Sequence, residues 1–362
     1  MTSSPEDGPL ALESFVPRQA LRTATHLVPR PRFGVIDAHN HLGVPFGGDW
    51  SGRTAAELAE VMDAAGVERL VDLDGGWGDG LRREIERWQV ALPGRVAVFA
   101  GLDYDYWVDD DAFGETEATR LRDGVAAGAR GLKVWKLLGL RARDRSGHLV
   151  AVDDARLDPL WAAAGELHMP VTIHIADPIA FFEPLGARNE RWEELHAHPD
   201  WHFWPTRPPG RPDLPGFPPF DELVDGLEAV VVRHPQTTFI GAHVGCAAED
   251  LARVSLILER APNFHVDLAA RIAELGRQPY ATRAFIERWS DRVLFGTDAP
   301  PDPAAWAVHY RFLETRDESF AYDAEGDDAA PSQGRWRIHG LGLPDDVLRR
   351  VYAGNAARLI RF

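Results

Sequence analysis

Five polar side chains stand where apolar runs end. VIDAHNHLG (35–43) closes on His39 and His41, with Asp37 two residues before them. PVTIHIADP carries His174, FIGAHVGC carries His243, and VLFGTDAP carries Asp298. A fifth run, GLKVWK, carries Lys133 and Lys136. A polar group merely buried at each of these places would carry an uncompensated desolvation cost. Neutral imidazoles together with one carboxylate suit a divalent ion: Zn²⁺ first, with Mn²⁺ and Fe²⁺ as alternatives. Alternation along a strand puts His39 and His41 on one face, as two ligands of one ion require.

The elements that must position these groups are legible as alternating periods. Strand candidates are GVIDAH, RLVDLD, RVAVFAGLD, GLKVWK, PVTIHIA, TTFIGAH, NFHVDLA and RVLFGTD. Between them run amphipathic stretches such as TAAELAEVMDAAG, DDARLDPLWAAAGELH, FDELVDGLEAVVVRHP and AEDLARVSLILERAP, and PDDVLRRVYAGNAARLI reads as a closing helix. Thr54 and Asp221 are the expected N-caps of two of them. Eight strand–helix alternations predict an α/β fold, a (β/α)8 TIM barrel. An open doubly wound sheet would more often carry a glycine-rich phosphate turn after its first strand, where this chain has histidines. In a parallel barrel the C-terminal strand ends converge on one mouth, and that convergence gathers the polar residues.

The 362 residues predict a short N-terminal extension (1–30) and one catalytic barrel (31–362). Two Pro- and Trp-rich stretches, 178–219 and 299–340, follow strands five and eight and read as ordered lids. A formal net charge of -17 argues against nucleic-acid or anionic-membrane partners. The single cysteine, Cys246, excludes an intrachain disulfide and a cysteine-rich zinc site. Without a basic start and apolar run at the N-terminus, or a long apolar stretch, the expected location is the cytoplasm. The expected partners are a small molecule, carboxylate-bearing ones included, and further copies of the chain.

DAHNHLG, TIHIAD, IGAHVG, LFGTDAP and YAGNAARLI, in this order, resemble the amidohydrolase superfamily. The resemblance is to its branch related to aminocarboxymuconate-semialdehyde decarboxylase and 2-pyrone-4,6-dicarboxylate lactonase, and it runs from about residue 31 to the end. It implies one divalent ion held by His39, His41, His174 and Asp298, with His243 beside it handling water or substrate. Other members of the superfamily hold two ions bridged by a carboxylated lysine of strand four, where this chain has Lys133. One ion is the expectation, with Lys133 salt-bridged or bound to a substrate carboxylate.

The expected activity is hydrolysis of a small amide, lactone or ester by activated water, with Asp298 as proton acceptor and His243 orienting water or stabilising an oxyanion. The alternative is non-oxidative decarboxylation or hydration of a small unsaturated or aromatic acid. Lys136, Arg188, Arg191 and Arg271 are candidate carboxylate clamps, and Trp192, with Trp201 and Trp204, a candidate pocket lining. Asp37 is a candidate support for the ion's ligands.

Overall fold

The computed structural model describes residues 11, 20–44, 46–204, 216–322 and 333–362. Much of the N-terminal extension and the middle of both expected lids therefore lie outside the described residues. Eight parallel strands follow one another: β1 (Val35–Asn40), β2 (Val67–Asp72), β3 (Val96–Val98), β4 (Leu132–Val134), β5 (Val171–Ile173), β6 (Phe239–Gly241), β7 (Phe264–Asp267) and β8 (Val293–Leu294). Two parallel ladders, β1–β2–β3 and β4 through β8, are joined by single bridges at both seams. Ala100 pairs with Leu132 between β3 and β4, and Asn40 pairs with Ala299 between β1 and the chain beyond β8. Ala38 N donates to Phe295 O at 3.0 Å and Asp298 N to His39 O at 2.8 Å across the second seam. The architecture is the (β/α)8 TIM barrel.

The strands are short because their runs bend into the mouth early. Lys136 falls beyond β4, which ends at Val134, rather than on the strand itself. Inside the ring, Ile36, Ala38, Val71, Leu73, Ala97, Phe99, Ile240 and Leu294 pack together, and Ala356 and Ile360 of the closing helix seal this cluster. The outer core lies between strands and helices and includes the buried Trp50, Trp88, Trp107, Trp161 and Trp306.

Local signals hold where partners are near in sequence. Thr54 caps the helix Ala55–Ala65 in a reciprocal capping box with Glu57, and Gly66 ends it at φ 78°. Asp221 is not a cap. The helix Phe220–Arg233 starts directly after Pro219, so Asp221 falls in its first turn and accepts from Arg253 Nη1 at 2.6 Å. Of the extension, Thr23 and His26 hydrogen-bond to Glu318 and Asp317. Among the described residues no helix is long and apolar enough to cross a membrane.

Candidate metal centre

β1 delivers two imidazoles to the mouth. His39 is fully buried and His41 is 3% exposed. Each turns its outer nitrogen to a carboxylate: His39 Nδ1 donates to Asp267 Oδ2 at 2.8 Å, and His41 Nδ1 to Asp74 Oδ1 at 2.7 Å. Nε2 of each ring points inward. Both inner nitrogens face one oxygen, Asp298 Oδ1, at 3.2 Å from His39 and 2.9 Å from His41. His39, His41 and Asp298 thus form a group whose donor atoms converge closely enough for one ion.

Two left-handed turns create the remaining geometry. Asp298 has φ 60°, and after β6 the residues His243, Val244 and Cys246 have φ 59°, 59° and 63°. Such backbone costs about 1–3 kcal/mol per residue and persists where surroundings over-determine it. Here they do. His243 N donates to Asp267 Oδ1 at 2.8 Å, and His243 Nδ1 donates to Ala269 O at 2.9 Å. His243 Nε2 is left facing Asp298 Oδ2 at 3.8 Å and His174 Nδ1 at 3.3 Å. His174 therefore reaches the trio through His243, while its Nε2 lies 3.0 Å from Ala176 O.

Asp37 touches neither ring. It accepts from His39 N, Asn40 Nδ2, Thr297 Oγ1 and Trp306 Nε1, and so ties the end of β1 to the turn carrying Asp298. Lys133 is fully buried, with Nζ 3.3 Å from His39 Nε2. Burial lowers its pKa against the opposing pull of Asp298 and Asp267. Burial would lower that of His41 too, yet its hydrogen bonds to Asp298 and Asp74 raise it to about 9. Burial drops His174 to about 4 and His243 well below its ordinary value. Burial works to raise Asp298, but His39 and His243 hold it well below the usual carboxylate range.

The other expected residues lie outside the trio, Lys136 and Arg271 close enough to act on His174 and His243. Lys136 pairs with Asp177 at 2.5 Å. Arg191 is buried between Glu194 at 2.6 Å and Glu274 at 2.5 Å, where it anchors the short helix Trp192–Ala197. Trp192 stacks on His196, and Arg188 is exposed along a cavity of about 440 Å³ with Glu183, Glu190 and Glu249. Arg271 is 5% exposed, its Nη1 donating to Ala270 O at 2.7 Å. Asp74 and Asp267 are the participants that sequence reasoning missed, although RLVDLD and NFHVDLA place both at or just past strand ends.

The residues fit a divalent cation on three counts. Two inner nitrogens and a carboxylate oxygen converge, the outer nitrogens are held by carboxylates, and the N/N/O donor set suits Zn²⁺, Mn²⁺ or Fe²⁺.

A family model described as Amidohydrolase matches residues 36–362. Among solved structures the chain is similar to 2,6-dihydroxybenzoate decarboxylase from Rhizobium: 17% identity, 90% of this chain and 98% of that one covered, TM-score 0.53. It is similar to a zinc-bound amidohydrolase from Burkholderia multivorans at 16% identity, covering 90% and 98%, with TM-score 0.50. A TIM-barrel protein of Bordetella bronchiseptica matches at 14% identity, 90% and 98% coverage and TM-score 0.53. No curated protein matches. The barrel, the histidines of its first strand and a family match over nearly the whole length lead to one assignment: the chain belongs to the amidohydrolase family of enzymes.

Proposed function

We propose that this enzyme hydrolyses an amide, lactone or ester of a small molecule, with His39, His41 and Asp298 holding one divalent ion and His174 completing the set. The observation that carries the reading is the convergence of two Nε2 atoms on Asp298 Oδ1 at 3.2 and 2.9 Å. When bound, a divalent ion would supply Lewis-acid chemistry there, lowering the pKa of a water from near 16 to about 7 and polarising a carbonyl. Asp298 is the partly open member of the trio, its side chain 26% exposed. Its carboxylate accepts the proton of the attacking water and returns it to the leaving group. His243, its Nδ1–H fixed on Ala269 O, keeps Nε2 turned to the same space and orients the water. The buried walls keep bulk water from competing.

Decarboxylation of a small unsaturated or aromatic acid is the second reading. It is supported by Lys133, whose buried Nζ beside His39 places a cation where a carboxylate would bind. Metal content per chain, measured by inductively coupled plasma mass spectrometry on chelator-free protein, tests the centre. About one ion is expected; none overturns the reading, and about two recruits His243 and Lys133, the latter as its carbamate. Product analysis in ¹⁸O-labelled water then decides the reaction. Label in a carboxylate product supports hydrolysis, and CO₂ release with no label entering the organic product supports decarboxylation.

A further inference from the structure

His39 and His41 each rest on a carboxylate at hydrogen-bond distance, and His174 does not. Its Nδ1 faces His243 Nε2 at 3.3 Å, and its Nε2 donates to Ala176 O at 3.0 Å. A carboxylate nevertheless stands close by. Asp177 Oδ1 lies 3.6 Å from His174 Nε2, beyond hydrogen-bond reach. The other oxygen of that carboxylate is taken, because Lys136 Nζ donates to Asp177 Oδ2 at 2.5 Å.

The strands explain why these three groups meet. β4 and β5 run in register, with Val134 beside Ile173. His174 N donates to Val134 O at 3.0 Å and ties the two strand ends together. Lys136 and Asp177 follow those two ends, so both are delivered to the same side of His174. The pair is largely enclosed. Asp177 is 7% exposed, and the buried Phe203 ring lies 5.9 Å from Lys136 Nζ. Enclosed charges are screened less by salt than exposed ones, so this pair is not an ordinary surface contact. Burial works to raise the pKa of Asp177, yet Lys136 and His174 hold it well below the usual carboxylate range. Beyond burial itself, Asp177 and Lys136 bear on His174 with opposite sign.

A carboxylate bonded to the outer N–H of a ligating imidazole fixes the ring and raises its basicity. Asp74 and Asp267 stand in that relation to His41 and His39. Asp177 stands just short of it, turned toward Lys136 instead. We infer that Lys136 and Asp177 are a positioning pair for His174: the lysine restrains the carboxylate, and the restrained carboxylate sets how strongly the imidazole holds the ion. This rests on the metal-centre reading above and adds a control on it exerted by two residues that are not ligands.

The test is a double-mutant cycle in metal affinity, read by competition of the full-length protein with a chromogenic chelator for Zn²⁺. Lys136→Met frees Asp177 to bond His174 and should tighten binding by about tenfold. Lys136→Arg keeps the charge and the hold on Asp177 and should stay near wild type. In the Asp177→Asn background the gain from Lys136→Met should shrink to about threefold or less, which is the coupling the cycle isolates. Removing a cation near a metal tightens binding by charge alone, so an equal gain in both backgrounds overturns the inference. No gain in Lys136→Met, or the same gain in Lys136→Arg, also overturns it. Should Asp177→Asn not fold, the visible absorption of the Co²⁺-loaded protein decides. A new bond to His174 shifts the cobalt bands in Lys136→Met, whereas unshifted bands mean that the lysine acts by charge only and sink the proposal. Wild type that takes no ion overturns the metal-centre reading and this one together. A loaded wild type with additive variants overturns only this one.

Discussion

Asp74 and Asp267 hold the outer nitrogens of the two imidazoles whose inner nitrogens face Asp298. Replacing either carboxylate by its amide keeps the shape and removes the charge that fixes ring tautomer and basicity. Asp74→Asn and Asp267→Asn should each weaken metal binding by about 10–100-fold, measured by competition with a chromogenic chelator. Wild-type affinity in both would show that these carboxylates leave the ligands untouched. Asp298→Asn should cost more than either, because it removes a charged donor from the converging set. The histidines and Asp298 were legible in the sequence because each interrupts or ends an apolar run. Asp74 and Asp267 satisfy the same criterion, yet their partners were not legible. The bonds to His41 and His39 cross 33 and 228 residues, and no local pattern encodes such pairings. Asp37 reads as a support for the ligands, and in the structure it bonds the backbone of His39 and Thr297 rather than a ring.

At the scale of elements, the turn after β8 is where a small change should matter most. A Cβ on Gly296 would stand 2.8 Å from His39 Cβ and 3.4 Å from Ala269 Cβ. Gly296→Ala must therefore push β1 or the Asp298 turn aside, and small misplacements at such sites cost activity out of proportion. We expect a metal-affinity loss of roughly tenfold or more with the fold retained, read by circular dichroism beside the chelator competition. Unchanged affinity would mean that the seam has slack. The eight strands and main helices were legible because period and burial agree along them. Thr54 was legible as a cap because its partner lies three residues away. Asp221 misled, since Pro219 fixes the helix start and Arg253 takes the carboxylate. Arg191 is a parallel case. Arg191 looks like a substrate clamp in one dimension, and only the fold reveals that Glu194 and Glu274 already occupy it.

At the scale of the molecule, two buried histidines far from the mouth couple stability to acid. Burial lowers His309 to about 4, and burial with Arg292 and Arg358 does the same to His265. Both values lie below the ordinary 6.5, so the unfolded chain takes up these protons first as pH falls. Their contribution is complete above pH 6.5 and is lost as pH falls toward 4, by about 3 kcal/mol each. Urea denaturation of His309→Gln should accordingly show a shallower loss of stability between pH 7 and 4.5 than wild type. An identical slope would place the proton uptake elsewhere. The seam between β1 and the chain beyond β8 has a temporal consequence. His41 and Asp298 meet across 257 residues, so the first strand to be synthesised keeps one edge unpaired until almost the last one arrives. The half-site on β1 lacks Asp298 during that wait. Capture of an ion at full affinity is then a late kinetic event, one that reports that the ring has closed.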